Sequence, residues 1–133
     1  MTSTKRKPRR FRARPRPHRN APEQLTTLAD YHRARRGFTR DAELAEALGV
    51  HRTRLAAWKS GSVTPNPDNA RLLTWLAVVV GELGEFLNPG VIPDWLQTEQ
   101  VMLGGRTPAD ALREGRLADV LYAANATEHG AYV

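Results

Sequence analysis

Between Glu43 and Gly61 the chain reads ELAEALGVHRTRLAAWKSG. Two short amphipathic runs meet at one glycine. Ala45 is small enough to let two helices approach at a steep crossing, and Gly49, four residues on, tolerates the positive φ of a tight turn. Leu44, Leu48, Val50, Leu55 and Trp58 supply the apolar face the two runs would share. The spacing predicts a helix ending at Leu48, a turn at Gly49 and a second helix from about His51 to Ser60, stopped by Gly61. That is a helix-turn-helix.

In the second helix the pattern leaves His51, Arg52, Thr53, Arg54, Ala56, Ala57 and Lys59 outside the core. This face carries three fixed positive charges and no acid. In helix-turn-helix proteins the N-terminal end of this helix reads base edges in the major groove of double-stranded DNA. Arg52 is the candidate for a bidentate contact to guanine, with Thr53 near a thymine methyl or a phosphate. Ala56 and Ala57 permit close approach, and His51, Arg54 and Lys59 are candidates for phosphate contacts that set register. A helix pair with a solvated basic face and no DNA contact is the plainer alternative.

The formal net charge of +6 is unevenly placed. Nine lysines and arginines precede the first acid, Glu23, whereas from Leu72 onward three arginines face eight acids. A basic front and an acidic back suggest two different partners. Pro8, Pro15, Pro17 and Pro22 argue against a continuous helix in residues 1–22, and like charges there repel. That segment is expected to be a disordered basic arm that binds phosphates, each neutralised phosphate releasing counterions. A solubilising leader is the simpler alternative.

Downstream of the arm, Leu25, Leu28, Ala29 and His32 lie at helical spacing in a helix from Glu23 to Arg36 ended by Gly37, with His32 as a half-buried packing residue. Thr39 is expected to cap the next helix, with Asp41 in its first turn. After a proline-rich turn at residues 64–68, Leu72, Leu76, Val79, Val80, Leu83 and Leu87 trace one helical face, and Leu73, Trp75, Val78 and Phe86 add apolar surface outside it. A helix apolar nearly all round must be buried on more than one side, and part of this excess is assigned to a homodimer contact. A short helical turn is expected at Pro93–Gln97. Thr107-Pro108-Ala109-Asp110 is a strong helix start, with threonine at the cap, proline in the first turn and capping-box spacing to the aspartate. Leu117, Val120, Leu121 and Ala124 mark a last helix, fraying near Gly130.

No stretch alternates with period two, so the fold class is all-α: a helix-turn-helix domain followed by a small helical domain, behind the basic arm. The expected divisions are 1–22 for the arm, 23–87 for DNA binding and dimerisation, and 88–133 for the C-terminal domain. The chain lacks cysteine, and its four histidines are scattered without metal-ligand spacing. Gly104-Gly105-Arg106-Thr107 lacks the lysine of a phosphate loop, and Asp110 with Glu114 reads as a solvated edge rather than an acid/base pair. No catalytic residue, metal or cofactor is expected. The first residues lack the apolar run of a signal peptide, and Leu72–Val80 is shorter than a membrane span, so the expectation is a cytoplasmic protein that is not an enzyme.

From Trp95 the sequence WLQTEQVMLGGRTPADALREGRLADVLYAANATEHGAYV resembles the toxin-binding domain of Xre/MbcA/ParS-type antitoxins. The residues that carry the likeness are Leu103, Gly104, Gly105, Thr107, Pro108, Asp110, Leu112, Gly115, Val120, Leu121, His129 and Gly130. Ala111 departs from it, since leucine often follows the aspartate directly. An Xre-like helix-turn-helix on the N-terminal side is also what such antitoxins have, so the likeness runs from about residue 37 to the end. The resemblance implies a RES-domain toxin that degrades NAD as partner, held inactive by an antitoxin that covers its active-site entrance. It further implies repression of the pair from operator DNA. Toxin-binding residues follow by analogy: Gly105, Arg106 and Thr107 in the loop, and Glu128, His129, Gly130, Tyr132 and Val133 at the end of the chain. A stand-alone helix-turn-helix repressor is the competing reading.

Overall fold

The computed structural model describes residues 15–130, with side chains described from Pro22 onward. The described part is helical throughout. Its elements are α1 (Pro15–Arg35), α2 (Asp41–Leu48), α3 (Arg52–Ser60), α4 (Pro67–Leu83), α5 (Ile92–Leu96), a 3-10 turn (Val101–Leu103), α6 (Pro108–Arg113) and α7 (Leu117–Glu128). Residues 1–14 of the expected arm lie outside the described residues.

The first helix begins earlier than its pattern predicts, at Pro15 instead of Glu23. Prolines in the first turn give up N–H groups that have no intrahelical partner there, so Pro15 and Pro17 are tolerated. Pro22 lies inside the helix and does forfeit a bond. The turns that follow dock along α4 and stabilise the whole element.

The buried face of α1 also differs from the expected one. Thr27, Asp30, Tyr31 and Ala34 face inward, Leu25 is 67% exposed and His32 is exposed. A stripe rotated around the helix therefore wins, because its polar members find partners. Thr74 donates its hydroxyl to the Asp30 carboxylate at 2.5 Å, and Arg33 pairs with the other oxygen at 3.2 Å. A buried carboxylate satisfied in this way costs less than the sequence pattern implies.

Gly37 does more than end α1. A Cβ there would stand 2.8 Å from a Val80 methyl and 3.2 Å from Ile92, so only glycine lets this corner close on α4 and α5. The cap of α2 is Arg40, one residue after Thr39. Thr39 still takes part: its N–H and hydroxyl both donate to Glu43 Oε1, at 3.0 and 2.8 Å. These bonds hold the Glu43 carboxyl below its usual range, the Thr39 hydroxyl contributing most.

The apolar α4 lies at the centre. Leu72, Leu73, Leu76, Ala77, Val79, Val80 and Leu83 are all buried. It packs along α1 on one side and α7 on another, and also meets α2 and α6. Burial on several sides agrees with its composition. Leu73 is 1% exposed and belongs to this core, which removes it from any dimer surface; Val78 remains 45% exposed, with Trp75 and Phe86 half-buried. The helix stops at Leu83, so Phe86 and Leu87 pack from the following turn.

One apolar core runs from Tyr31 through the helix-turn-helix to Leu103, Val120 and Ala124. Thr107 caps α6 as its sequence predicts, accepting from the Asp110 N–H at 3.0 Å. The reciprocal half of a capping box is not formed, because the Asp110 carboxylate bonds Arg113 and Arg106 instead.

Candidate functional site

The two helices of the central motif form as their spacing dictates. Leu44, Ala45, Leu48, Leu55 and Trp58 are buried, and Val50 is half-buried against them. Gly49 adopts φ 75°, and the turn is closed by Gly49 N–H to Glu46 O at 3.0 Å and Val50 N–H to Ala45 O at 3.0 Å. This paired closure of a helix end needs the left-handed conformation that glycine adopts without strain.

His51 caps α3. Its Nδ1 accepts from the Thr53 N–H at 3.2 Å and lies 2.8 Å from the Thr53 hydroxyl. With Leu55 and Trp58 turned inward, helical geometry directs Thr53, Ala56 and Ala57 outward and sets Arg52 and Arg54 on opposite flanks. The exposed face is thus a floor of small side chains between two arginines. His51, Thr53, Arg54 and Ala57 also border a groove of about 480 Å³ that runs to Val63, Asn66 and Asn69 at the start of α4.

Lys59 stands apart from the other residues expected on this face. It pairs with Asp41 at 3.5 Å and lies 5.5 Å from the centre of the Tyr31 ring. Asp41 also accepts from the Tyr31 hydroxyl at 2.7 Å and from Arg35 Nε at 2.8 Å. The four side chains tie α1, α2 and α3 together. The Tyr31 hydrogen bond, with Arg35 and Lys59, holds the Asp41 carboxyl below its ordinary value, while burial and then Asp41 raise the Tyr31 phenol.

In the C-terminal half, the residues expected to touch a protein partner fall into two separate places. Gly105, Arg106 and Thr107 lie in a loop clasped by Gln100, whose N–H donates to Arg106 O at 3.1 Å and whose carbonyl accepts from Gly105 N–H at 2.9 Å. Arg106 reaches Glu114, which with Asp110 holds its guanidinium charged even more firmly than usual. Thr107 is committed to its cap. This loop lies beside the start of α7, where Arg116 donates to Leu103 O at 3.3 Å.

Glu128, His129 and Gly130 lie at the other end of α7, a helix of about 18 Å. There Trp95 Nε1 donates to Thr127 Oγ1 at 3.1 Å, and His129 Nδ1 bonds back to Asn125 O at 2.8 Å. Tyr132 and Val133 lie outside the described residues. Between the two ends runs a surface that the sequence pattern passed over. Tyr122 is 69% exposed on α7, and Val101 is 93% exposed on the 3-10 turn packed beside that helix. The available signal was Tyr122 falling off the stripe of Leu117, Val120, Leu121 and Ala124.

Among the described residues no cluster of histidine and carboxylate side chains could hold a metal, and no helix is long and apolar enough to cross a membrane.

A helix-turn-helix family model matches residues 31–74, which spans the motif, the end of α1 and the first half of α4. Mycobacterial cidal antitoxin MbcA of Mycobacterium tuberculosis is 30% identical over 91 residues, covering 68% of this chain and 80% of that protein. The M. bovis protein of the same name matches equally. The chain belongs to the Xre/MbcA-type antitoxins. The antitoxin also resembles a chain in the crystal structure of the M. tuberculosis MbcT–MbcA toxin–antitoxin complex. The TM-score is 0.62 at 26% identity, covering 83% of this chain and 96% of that one. The all-helical antitoxin fold and its helix-turn-helix thus agree with the sequence reading.

Proposed function

We propose that this antitoxin neutralises a RES-domain toxin that degrades NAD, and that it represses its own operon by binding operator DNA through α3. The protein has no catalytic role of its own in this reading and acts in the cytoplasm, where both targets are found. The observation that carries it is the arrangement of two chemically distinct surfaces on one core. Arg52 and Arg54 flank a small-residue, acid-free floor at the N-terminal end of α3. The C-terminal half presents the acidic loop edge and α7. The matched M. tuberculosis chain comes from a toxin–antitoxin complex, which favours a toxin as partner here.

Arg52 reads guanine, Thr53 and Ala57 contact the groove, and His51 and Arg54 hold phosphates. Lys59 contributes by holding α3 against α1 and α2, with at most a secondary phosphate contact. A homodimer through Val78, Trp75 and Phe86 would match a palindromic operator. On the toxin, Gly105, Arg106 and Thr107 dock one edge while Glu128, His129, Gly130, Tyr132 and Val133 close the active-site entrance. The two sets are separated by the length of α7, a span easily covered by an ordinary protein interface.

The experiment is co-expression with the product of an adjacent RES-type reading frame, reading growth, complex formation and NAD turnover together. Rescue with a co-purifying complex supports the proposal. Removing residues 129–133 should leave the complex intact while NAD is consumed. No complex with such a neighbour, together with specific binding to upstream DNA, would favour a stand-alone repressor.

A further inference from the structure

The helix-turn-helix turn is gripped by a side chain from the other half of the molecule. Arg113, on α6, donates from Nη1 to the Ala47 carbonyl at 2.8 Å across 66 residues. Ala47 O is one of the last carbonyls of α2, left without an intrahelical partner. Its neighbours Ala45 O and Glu46 O are taken by Val50 and Gly49 N–H. Arg113 therefore completes the end of α2, and its positive charge suits the negative end of that helix. Its stem lies against the turn itself: a Cβ on Gly49 would stand 3.1 Å from Arg113 Cδ.

The same guanidinium is bound by Asp110. Asp110 is shared with Arg106 at 3.8 Å, and Arg106 in turn is bound by Glu114. A continuous series of charged contacts thus leads from the Gly105–Thr107 loop to the turn between α2 and α3. Arg113 serves both acceptors at once, Nη1 on Ala47 O and Nη2 on Asp110, so Asp110 fixes the guanidinium that completes α2, and Arg106 holds the other oxygen of Asp110.

We propose that Arg113 couples the occupancy of Arg106 to the setting of the helix-turn-helix. A partner carboxylate that takes up Arg106 leaves Asp110 held from one side only. Asp110 then anchors Arg113 less firmly at Ala47 O, the end of α2 loosens, and α3 loses its fixed orientation for DNA. By linkage, DNA that holds the turn closed weakens the partner's hold on Arg106 to the same degree. The identity of the partner and of the DNA rests on the function proposed above; the coupling between loop and turn does not.

Amide hydrogen exchange in the full-length protein tests this without either ligand. Arg106→Ala mimics withdrawal of Arg106. It should speed exchange of the Gly49 and Val50 amides roughly fivefold, in the usual range of coupling between sites, while Leu76 and Val79 in α4 are unchanged. Arg113→Met should speed the same two amides, and adding Arg106→Ala to it should change nothing further. Asp110→Asn, which removes the charge that anchors Arg113, should speed them as well. Wild-type exchange in Arg106→Ala, or an undiminished effect of that change in the Arg113→Met background, overturns the proposal. Binding to a duplex of the DNA upstream of the gene forms a second arm: affinity should fall in Arg106→Ala but be equal in Arg113→Met and the double variant. If the wild-type protein binds no DNA, the operator reading fails, and the exchange cycle still decides the coupling.

Discussion

Tyr31 donates its phenol to Asp41 at 2.7 Å, joining the last turns of α1 to the first turn of α2. Arg35 and Lys59 approach the same carboxylate from α1 and α3, so one acid fixes three helices around the helix-turn-helix. Asp41→Asn should destabilise the protein by about 1 kcal/mol at pH 7, the size expected for a hydrogen-bonded pair that remains partly solvated. The folded state holds the Asp41 pKa below its ordinary value of 3.8. Its contribution is therefore complete above that value and is lost as the pH falls through the lowered one. Denaturant unfolding at stepped pH should show the two proteins converging at the acid end and separating toward neutrality.

Changes on α3 should separate base reading from phosphate binding. Arg52→Ala should cost about 1–3 kcal/mol on the operator and little on unrelated DNA. Arg54→Ala should weaken all duplexes alike and reduce the salt dependence by about one phosphate contact. Deleting residues 1–14 should flatten that dependence further. Titrations at several salt concentrations against specific and random duplexes supply the comparison; an unchanged operator affinity for Arg52→Ala would put the reading surface elsewhere.

Gly49→Ala forces a Cβ into the left-handed region, a cost of about 1–2 kcal/mol. The new methyl also presses on the Arg113 stem, which is flexible enough to give way. The variant should unfold at lower denaturant with an unchanged slope, whereas Gly81→Ala, where a Cβ meets open space, should be neutral or stabilising.

Gln100 presents the opposite case. Its side chain is 1% exposed, and among the described residues neither its amide nitrogen nor its oxygen has a hydrogen-bond partner. A desolvated amide of this kind costs about 1–3 kcal/mol. Gln100→Met keeps the volume and the backbone clasp of the Gly105 loop while removing that cost, and should raise stability by about 1 kcal/mol. A fall in stability on thermal or chemical unfolding would reveal a buried water as the missing partner.

The helix-turn-helix was legible because its determinants are local. Ala45, Gly49 and five apolar side chains within fifteen residues leave few other ways to fold. The Thr107 cap was legible for the same reason. What the sequence concealed depends on residues distant along the chain. Asp30 could not be placed inside without Thr74, 44 residues away, and so the inward face of α1 was read on the wrong side. Gly37 looked like a helix terminator, but its close approach to Val80 and Ile92 exists only in three dimensions. Lys59 is one more positive charge on α3 by pattern, but Asp41 and Tyr31, distant in sequence, stand beside it. At the C-terminal end, the loop and terminal residues were chosen for their motif, while the exposed Val101 and Tyr122 between them carry no motif.

Because α4 is packed by α1 on one side and α7 on another, the two halves are not interchangeable parts. A chimera cut near residue 88 would strip cover from a leucine- and valine-rich helix and should aggregate unless its new half matched that surface. Substitution without loss of packing is correspondingly restricted to positions that face away from α4, such as the exposed Tyr122 and Val101. Inward substitutions on α7 would be screened first for whether the helix-turn-helix half still folds. In this architecture partner specificity can drift on the outside, while the inner surface ties the evolutionary fate of both halves to one helix.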